Sequence, residues 1–325
     1  MGSHRSGLDW SYLRWLVESN LQGRPGFEPN FRLQGKLQNL GQGLFNRNYL
    51  FEASGRYLVL RLAKVERELR TRKEAVIRLR GEAKTLQALE RVGFPYDTPR
   101  FVCFVEDGSK EIVGLIETAV DGASLELFSN LNEPDRLLEV IAKIVVAVHQ
   151  LPKAEFSHLK HRKESRDHLL EQLEELAPAI FDEFEQAARA REWVLSRLPE
   201  NRLPVVLHGD LLPQNVLFHD FENPRYSVVD WQEAQIGDPA YDLAVVTRGA
   251  PKPLGVPHGL ERLVELYNET AEQKLPASAV IAHELLLQLG WLDDSVKDHK
   301  RLGGHAPEHY AAQLGALLRR VAHKQ

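Results

Sequence analysis

The sequence predicts an α+β protein in which a small, β-rich N-terminal lobe precedes a larger, mostly helical C-terminal lobe. Before Gly122 the chain holds several short runs of β-branched and aromatic residues, which are typical of strands. After Gly122 apolar residues recur at helical spacing, and one β-like stretch, 205–229, interrupts the helices. The chain has 325 residues, enough for two lobes, and we expect them to cover 1–118 and 119–325.

The N-terminal lobe is expected to hold antiparallel strands and one inserted helix. The pair Ser54-Gly55 lies between two apolar runs and predicts a hairpin. A charged segment follows, in which alanine and leucine recur at near-helical spacing until Gly93 and Pro95 end it. The predicted strands cover 32–40, 48–53, 57–62, 101–105 and 112–117, and the predicted helix covers 64–91.

The C-terminal lobe is expected to be helical on both sides of the β-like stretch. An amphipathic helix is predicted over 137–151, where Pro152 ends it, and a long charged helix over 167–198. From 239 onward the pattern is again helical, with a break rich in proline and glycine at 250–259.

Composition and charge argue against several classes of protein. The formal net charge is −5 with no dense block of lysine and arginine, which argues against a nucleic-acid partner. No apolar run approaches the roughly 20 residues that cross a bilayer, and residues 1–5 lack the apolar stretch of a secretory signal. Cys103 is the single cysteine, which excludes an internal disulfide and a cysteine-based zinc site. We therefore expect a cytoplasmic protein with no membrane partner.

Three oxygen-bearing side chains follow the short strands of the β-like stretch. An apolar strand leads to Asp210, Asn215 follows five residues later, and a second apolar strand leads to Asp230. Two carboxylates and an amide offer only oxygen ligands, which suit a hard cation such as Mg2+. Phosphoryl transfer uses such a cluster, together with a carboxylate that receives or orients the proton of the attacking hydroxyl.

The order of these residues resembles the catalytic loop of protein kinases. His208-Gly209-Asp210 followed by Asn215 is similar to the kinase His-Arg-Asp…Asn sequence, with glycine in place of arginine. Asp230 stands where kinases carry Asp-Phe-Gly. Together with the run Gly-Asp-Pro-Ala-Tyr-Asp-Leu-Ala that starts at residue 237, this stretch resembles the aminoglycoside phosphotransferase and choline kinase superfamily.

The resemblance implies a protein-kinase-like two-lobed fold and a role for each matched residue. Asp210 would be the catalytic base, and Asn215 and Asp230 would hold magnesium. His208 would be a scaffold residue, and Asp242 would point back and brace the catalytic loop.

Asp238 has a simpler interpretation, because an aspartate before Pro239 predicts a helix N-cap.

The N-terminal lobe would supply the nucleotide site. Gly41, Gly43 and Asn46 lie between two predicted strands, where a glycine-rich loop would cover phosphates with its backbone N–H groups. Asn46 stands where kinases carry a third glycine, and this departure resembles the choline kinase-like branch. Arg61 would provide the cation for the α- and β-phosphates, at a position where protein kinases place lysine.

The cation needs a helical carboxylate as its partner, and the adenine needs a hinge. Glu82 matches the family's helix position best, with Glu74 as the competitor. The backbone at Glu117 and Ala119 would hydrogen-bond the adenine, because 115–122 resembles the hinge strand.

The acceptor site is the least determined part of the sequence. Glu233 could touch metal or a cationic substrate, and Asp293 and Asp294 lie where this superfamily builds its acceptor pocket. Each of these carboxylates could equally be a solvated surface group. The interval 231–238 is too short for the activation loop of a protein kinase, which favours a small-molecule acceptor.

The resemblance therefore implies transfer of the γ-phosphoryl group of ATP, with Mg2+, to a hydroxyl of a small molecule, and the net charge is compatible with a cationic one. GTP stays open as the donor. An aminoglycoside-like antibiotic is the leading acceptor, and choline, a macrolide, a sugar or another metabolite is the alternative. A catalytically silent nucleotide-binding regulatory protein is the alternative from a different class.

Overall fold

The computed structural model describes residues 9–42, 46–64, 71–128, 134–198, 201–219, 224–297 and 305–322. Gly43 and residues 65–70, near the start of the predicted helix over 64–91, lie outside these ranges. The chain forms two compact units, one of Met1–Arg91 with Asp97–Asp121 and one of Val92–Tyr96 with Gly122–Gln325. We call them the first and second units.

The described residues of the first unit form five strands in one antiparallel sheet, in the order β1-β2-β3-β5-β4. Its elements are α1 (Trp10–Leu21), β1 (Gln38–Gln42), β2 (Asn46–Ala53), β3 (Arg56–Ala63), α2 (Arg72–Val92), β4 (Phe101–Asp107) and β5 (Ile112–Thr118). The predicted hairpin at Ser54-Gly55 joins β2 to β3. The first predicted strand begins later than expected, at Gln38 instead of residue 32.

The sheet packs against both helices of the first unit. Leu13, Leu16, Val17 and Leu21 of α1 are buried together with residues of all the sheet strands except β1, because residues three or four apart share one helix face. Ala75 and Leu79 of α2 are buried with residues of β5. Burial of both helix faces holds the strands in place.

The second unit is mostly helical, and its described residues form two small antiparallel sheets. One sheet has the order β6-β8-β9 and the other pairs β10 with β7. Its elements are β6 (Ala123–Ser124), α3 (Pro134–His149), α4 (Ser165–Glu174), α5 (Ala179–Glu183), α6 (Glu185–Ser196), β7 (Val205–Leu207), β8 (Val216–Phe218), β9 (Tyr226–Val228), β10 (Gln235–Gly237), α7 (Ala240–Thr247), α8 (Gly259–Thr270), α9 (Ala277–Lys297) and α10 (Pro307–Ala322). An antiparallel sheet followed by a mostly helical part confirms the predicted α+β class.

The long helix predicted over 167–198 is wrong, since three helices, α4, α5 and α6, occupy this stretch. Pro178 precedes α5 and lacks the backbone N–H that a continuous helix needs. Phe184 has extended backbone angles, φ −122° and ψ 109°, and separates α5 from α6. The charge pattern continues across both breaks, which is why it predicted a single helix.

Within the described ranges, no helix is both long and apolar enough to span a membrane.

Candidate active site

The second unit brings Asp210, Asn215 and Asp230 together. Asp210 follows β7, and Asn215 ends a short 3₁₀ turn that leads directly into β8. The Asn215 side-chain amide donates to the Asp210 backbone oxygen at 2.7 Å and to Oδ2 of Asp210 at 3.1 Å. Asp230 follows β9, whose pairing with β8 brings it beside this loop. The Val229 amide also donates to the Asn215 carbonyl at 2.9 Å.

Asp210 is an unusually basic carboxylate. Burial raises its pKa to about 6, and the nearby Asp230 charge acts in the same direction. The Arg248 guanidinium and the Asn215 amide oppose this shift by favouring the ionised form. A carboxylate with a pKa near 6 is ionised at neutral pH and holds a proton more strongly than an ordinary aspartate, which suits a general base.

His208 is fixed as a neutral group that links two segments. Its side chain is fully buried, and burial lowers its pKa. Nδ1 accepts from the Asp210 amide at 3.2 Å, so Nε2 carries the proton and donates to the Val229 carbonyl at 3.1 Å. These contacts join the segment that carries Asp210 to the one that carries Asp230, as expected of a scaffold residue.

Asp242 of α7 holds the backbone of the loop that carries Asp210. Its Oδ2 accepts from the His208 amide at 2.9 Å, and its Oδ1 accepts from the Gly209 amide at 2.9 Å. His149, at the end of α3, approaches the same Oδ2 with Nε2 at 3.3 Å and the Tyr267 hydroxyl with Nδ1 at 3.0 Å. The two loop contacts are those expected of a bracing residue, whereas sequence analysis missed His149 and Tyr267.

Asp238 bonds to the first turn of α7, but the N-cap position is Pro239 and not Asp238 as predicted. Its Oδ1 accepts from the Ala240 amide at 3.0 Å. The Arg202 guanidinium donates to both carboxylate oxygens, at 3.1 and 2.8 Å. Asp238 therefore fixes the helix that carries Asp242.

The backbone at position 209 explains why this chain has glycine where protein kinases have arginine. Its φ is +83°, which glycine adopts without steric cost. A Cβ at this position would lie 2.0 Å from the backbone oxygen of Glu233. No side chain fits here, and Glu233, which is half-buried, is thereby placed beside the loop through its backbone.

The residues present fit a magnesium ion. Burial and the second carboxylate destabilise the charge on Asp210, and a cation would relieve that repulsion. The Asn215 side-chain nitrogen donates its hydrogen bonds to Asp210. The Asn215 Oδ1 is therefore the atom of this side chain that could bind a cation. Among the described residues no group of three histidine, cysteine or acidic side chains could hold a metal. Mg2+ does not need such a cage, since it is commonly bound by one or two carboxylates, waters and substrate phosphates.

In the first unit, a buried ion pair forms around Arg61. Arg61 of β3 lies 2.5 Å from Oε1 of Glu82 on α2, and 3.7 Å from Oε1 of Glu117 on β5. All three residues are buried. The competitor Glu74 instead accepts from the backbone amide and hydroxyl of Thr71 at the start of α2. Of the two candidates, Glu82 is therefore the residue that pairs with Arg61.

Two other nucleotide-site candidates, Gly41 and Asn46, lie on the same sheet. Gly41, in β1, has φ +108°, which requires glycine, and Asn46 starts β2 and is buried. Gly43 lies outside the described residues. The Ala119 amide donates to the Tyr57 carbonyl at 2.9 Å, so a contact with adenine at this residue is left to its carbonyl.

Comparison with known proteins identifies the family. The APH family model, described as a phosphotransferase enzyme family, matches residues 36–258, more than half of the chain. The chain belongs to this family. Viomycin phosphotransferase from Streptomyces vinaceus is 31% identical over 191 residues, 53% of this chain. The match spans 63% of that relative, less than two thirds of its length.

Solved structures confirm the protein-kinase-like fold of the APH family member. The GDP and kanamycin complex of APH(2″)-IIia has a TM-score of 0.70 at 18% identity, covering 95% of this chain and 99% of that one. Macrolide 2′-phosphotransferase type I has a TM-score of 0.66 at 20% identity, covering 97% and 99%. Identities this low show the shared fold alone.

In this APH family member the two acceptor-site candidates on α9, Asp293 and Asp294, differ in their surroundings. Asp293 is buried, lies 2.5 Å from the Lys297 ammonium and accepts from the Ala177 amide at 3.4 Å. Its charge is already compensated, which weakens the case for a substrate contact. Asp294 is half-buried.

Arg248 is a site residue that sequence analysis missed. It follows α7 in the left-handed conformation with φ +51°, and its guanidinium lies 5.9 Å from the centre of the Trp291 ring on α9. Its charge is close enough to lower the pKa of Asp210. The signal available in the sequence was an arginine directly after a helix that ends in Thr247, a pattern too common to single out.

Proposed function

We propose that this APH family member is an ATP- and Mg2+-dependent phosphotransferase that moves the γ-phosphoryl group to a hydroxyl of a small antibiotic molecule. The observation that carries the proposal is the buried Asp210 carboxylate, with a pKa of about 6, held by Asn215 and next to Asp230. Base, amide and second carboxylate are the groups that phosphoryl transfer requires on the protein. The proposed place of action is the cytoplasm, where ATP is supplied.

Each residue of the second unit has a distinct task in this proposal. Asp210 accepts a hydrogen bond from the acceptor hydroxyl and takes its proton as the hydroxyl oxygen bonds to the γ-phosphorus. The bond from the γ-phosphorus to the bridging β,γ oxygen breaks at the same time, and ADP leaves. Asn215 and Asp230 would hold Mg2+, which when bound neutralises the phosphate charges. Asp242 keeps Asp210 in position through the two amides that it accepts.

The first unit would bind the nucleotide. Arg61 would pair with the α- and β-phosphates, and Glu82 fixes its guanidinium at 2.5 Å. Backbone N–H groups around Gly41, Gly43 and Asn46 would cover the phosphates, as in other nucleotide-binding loops. ATP is the proposed donor, and the GDP complex of APH(2″)-IIia keeps GTP as an alternative.

An aminoglycoside-like antibiotic is the leading acceptor. Kanamycin, a macrolide and viomycin are named with the relatives and neighbours, so the panel of acceptors should include all three. Glu233 and Asp294 would attract a cationic acceptor, whereas Asp293 is already paired with Lys297. Arg248 adds a positive charge near Asp210 and would favour an electron-rich group next to the reacting hydroxyl.

The test is phosphate transfer by the purified full chain. ADP release with Mg-ATP is measured for kanamycin, viomycin, a macrolide, choline, ethanolamine and common sugars, and ³¹P NMR identifies the phosphorylated product. The Asp210→Asn variant should lower kcat by about 100-fold or more, since it loses the base. A matched control is Glu265→Gln, an exposed carboxylate of α8 that should leave kcat unchanged.

Two outcomes would contradict the proposal. Full activity of Asp210→Asn would remove Asp210 from the role of base. Calorimetric binding of Mg-ATP with no phosphate transfer to any compound would favour the silent nucleotide-binding protein.

A further inference from the structure

The second unit contains a cavity of about 450 Å³ beneath the loop that joins α7 to α8. This loop provides one wall, and α8, α9 and α10 provide the others. None of the predicted catalytic, nucleotide or acceptor residues lines it. Most of the lining is apolar, and it includes Pro251, Pro253, Leu260, Ile281, Leu317 and Val321. Small-molecule sites in proteins commonly have about 300–1,000 Å³ of volume, mainly apolar walls and a few polar groups.

One buried carboxyl group lies in the wall of this cavity. Glu284 of α9 is 1% exposed, and its Oε1 accepts from the Gly249 amide at 3.0 Å. Its Oε2 is buried and has no hydrogen-bond partner among the described residues. The neighbouring Thr247 hydroxyl donates instead to the Leu243 carbonyl at 3.1 Å. A buried polar atom without a partner is rare in proteins and is costly, so a donor from outside the fold would stabilise Oε2.

The charge on Glu284 is disfavoured where it lies. Burial raises the Glu284 pKa to about 7, although the neighbouring Thr247 side chain, the Gly249 amide and the Arg320 charge oppose the shift. A ligand that donates to this carboxyl group would relieve part of the cost of its burial.

Two cations line the cavity: Lys252 is exposed to solvent, and Arg320 is already engaged in hydrogen bonds. Arg320 of α10 donates from Nη1 to the Ala250 carbonyl and from Nη2 to the Gly249 carbonyl, both at 2.6 Å. Its guanidinium therefore fastens the loop and does not bond to Oε2 of Glu284. Arg320 and Glu284 together fix Gly249 and Ala250, so this wall of the cavity is formed without a ligand.

We propose that this cavity is a second binding site, for a small and mainly apolar molecule whose one polar head, an amine or an alcohol, donates a hydrogen bond to Oε2 of Glu284. The apolar body would replace water against the prolines and the leucine, isoleucine and valine side chains. The site goes beyond the proposed phosphotransfer and needs neither nucleotide nor Mg2+.

Three probes of one shape test the head group. Binding of 4-phenylbutylamine, 4-phenylbutanol and 4-phenylbutyrate to the full chain is followed by saturation-transfer difference NMR, without nucleotide. The amine and the alcohol should bind with dissociation constants on the order of 1 mM or below. The butyrate should bind at least about tenfold more weakly, because its carboxylate would face that of Glu284.

Variants then locate the binding. Glu284→Gln should weaken the amine about tenfold, whereas the exposed Glu265→Gln should leave all three probes unchanged. Val321→Trp places a large side chain in the cavity wall and should remove binding of every probe. If Glu284→Gln does not fold, Val321→Trp still tests whether the probes bind in this cavity.

The proposal is overturned by equal binding of the three probes, by binding that survives Val321→Trp, or by no binding of the amine and the alcohol to the unaltered chain. Since the assay contains no nucleotide, failure here leaves the phosphotransfer proposal untouched, and the reverse also holds.

Discussion

Replacing Gly209 by alanine should damage catalysis far more than it damages folding. The left-handed backbone at φ +83° costs an L-residue about 1 kcal/mol. The new Cβ would also lie 2.0 Å from the Glu233 oxygen, about 1 Å closer than the 3.0 Å limit of real Cβ contacts. Either the loop with Asp210 or the Glu233 peptide must therefore shift by about 1 Å. A misplacement of about 1 Å in a catalytic geometry costs on the order of 100-fold in rate.

The assay compares kcat and KM for Mg-ATP, by ADP release, with the acceptor found in the panel. We expect kcat of Gly209→Ala to fall about 100-fold with little change in KM. Gly23→Ala is the matched control, because Gly23 has φ +71° but a Cβ there would meet no other atom within 4 Å. It should lose about 1 kcal/mol of stability and keep its kcat. Equal kcat for Gly209→Ala and the unaltered chain would refute the argument that the close contact holds the loop in place.

Three buried groups lead to further expected outcomes. Glu82→Gln should destabilise the chain to urea by about 3 kcal/mol and raise KM for ATP, because Arg61 loses its closest carboxylate; unchanged values would contradict this. His149→Ala should lower kcat about tenfold at constant KM by loosening Asp242, with partial rescue in His149→Gln; a change confined to KM would argue for a general structural defect. Glu284 has a folded pKa of about 7, above its ordinary 4.5, so the folded state binds the extra proton and stability falls as pH rises from about 4.5 to 7. The unfolding free energy of Glu284→Gln, relative to that of the unaltered chain, should therefore rise by up to about 3 kcal/mol from about pH 4 to pH 8, measured by urea unfolding. A difference that does not change with pH would contradict the raised pKa.

Short-range patterns in the sequence predicted much of the secondary structure. The hairpin at Ser54-Gly55 depends on residues next to each other, and the structure has it. Sequence analysis missed α1, although Asp9 caps this helix and its buried leucines share a face, which is also a local signal. The prediction of one helix over 167–198 was wrong because the spacing of charged residues carries no information about the extended backbone at Phe184.

Contacts between distant residues required the tertiary structure. The choice of Glu82 over Glu74 depends on how α2 packs on the sheet, since both lie on the same helix. The roles of His149 and Arg248 arise from packing against α7 and near Asp210, and neither has a distinctive sequence neighbourhood.

Local patterns were enough for the fold class, the order of Asp210, Asn215 and Asp230, and the chemistry that those side chains can support, because strands and loops leave their signals in neighbouring residues. Three-dimensional packing was needed to learn how basic Asp210 is, why position 209 must be glycine and that Glu284 lies buried in a cavity wall. Burial, electrostatic neighbours and steric space are set by residues far apart in the chain, so no local pattern encodes them.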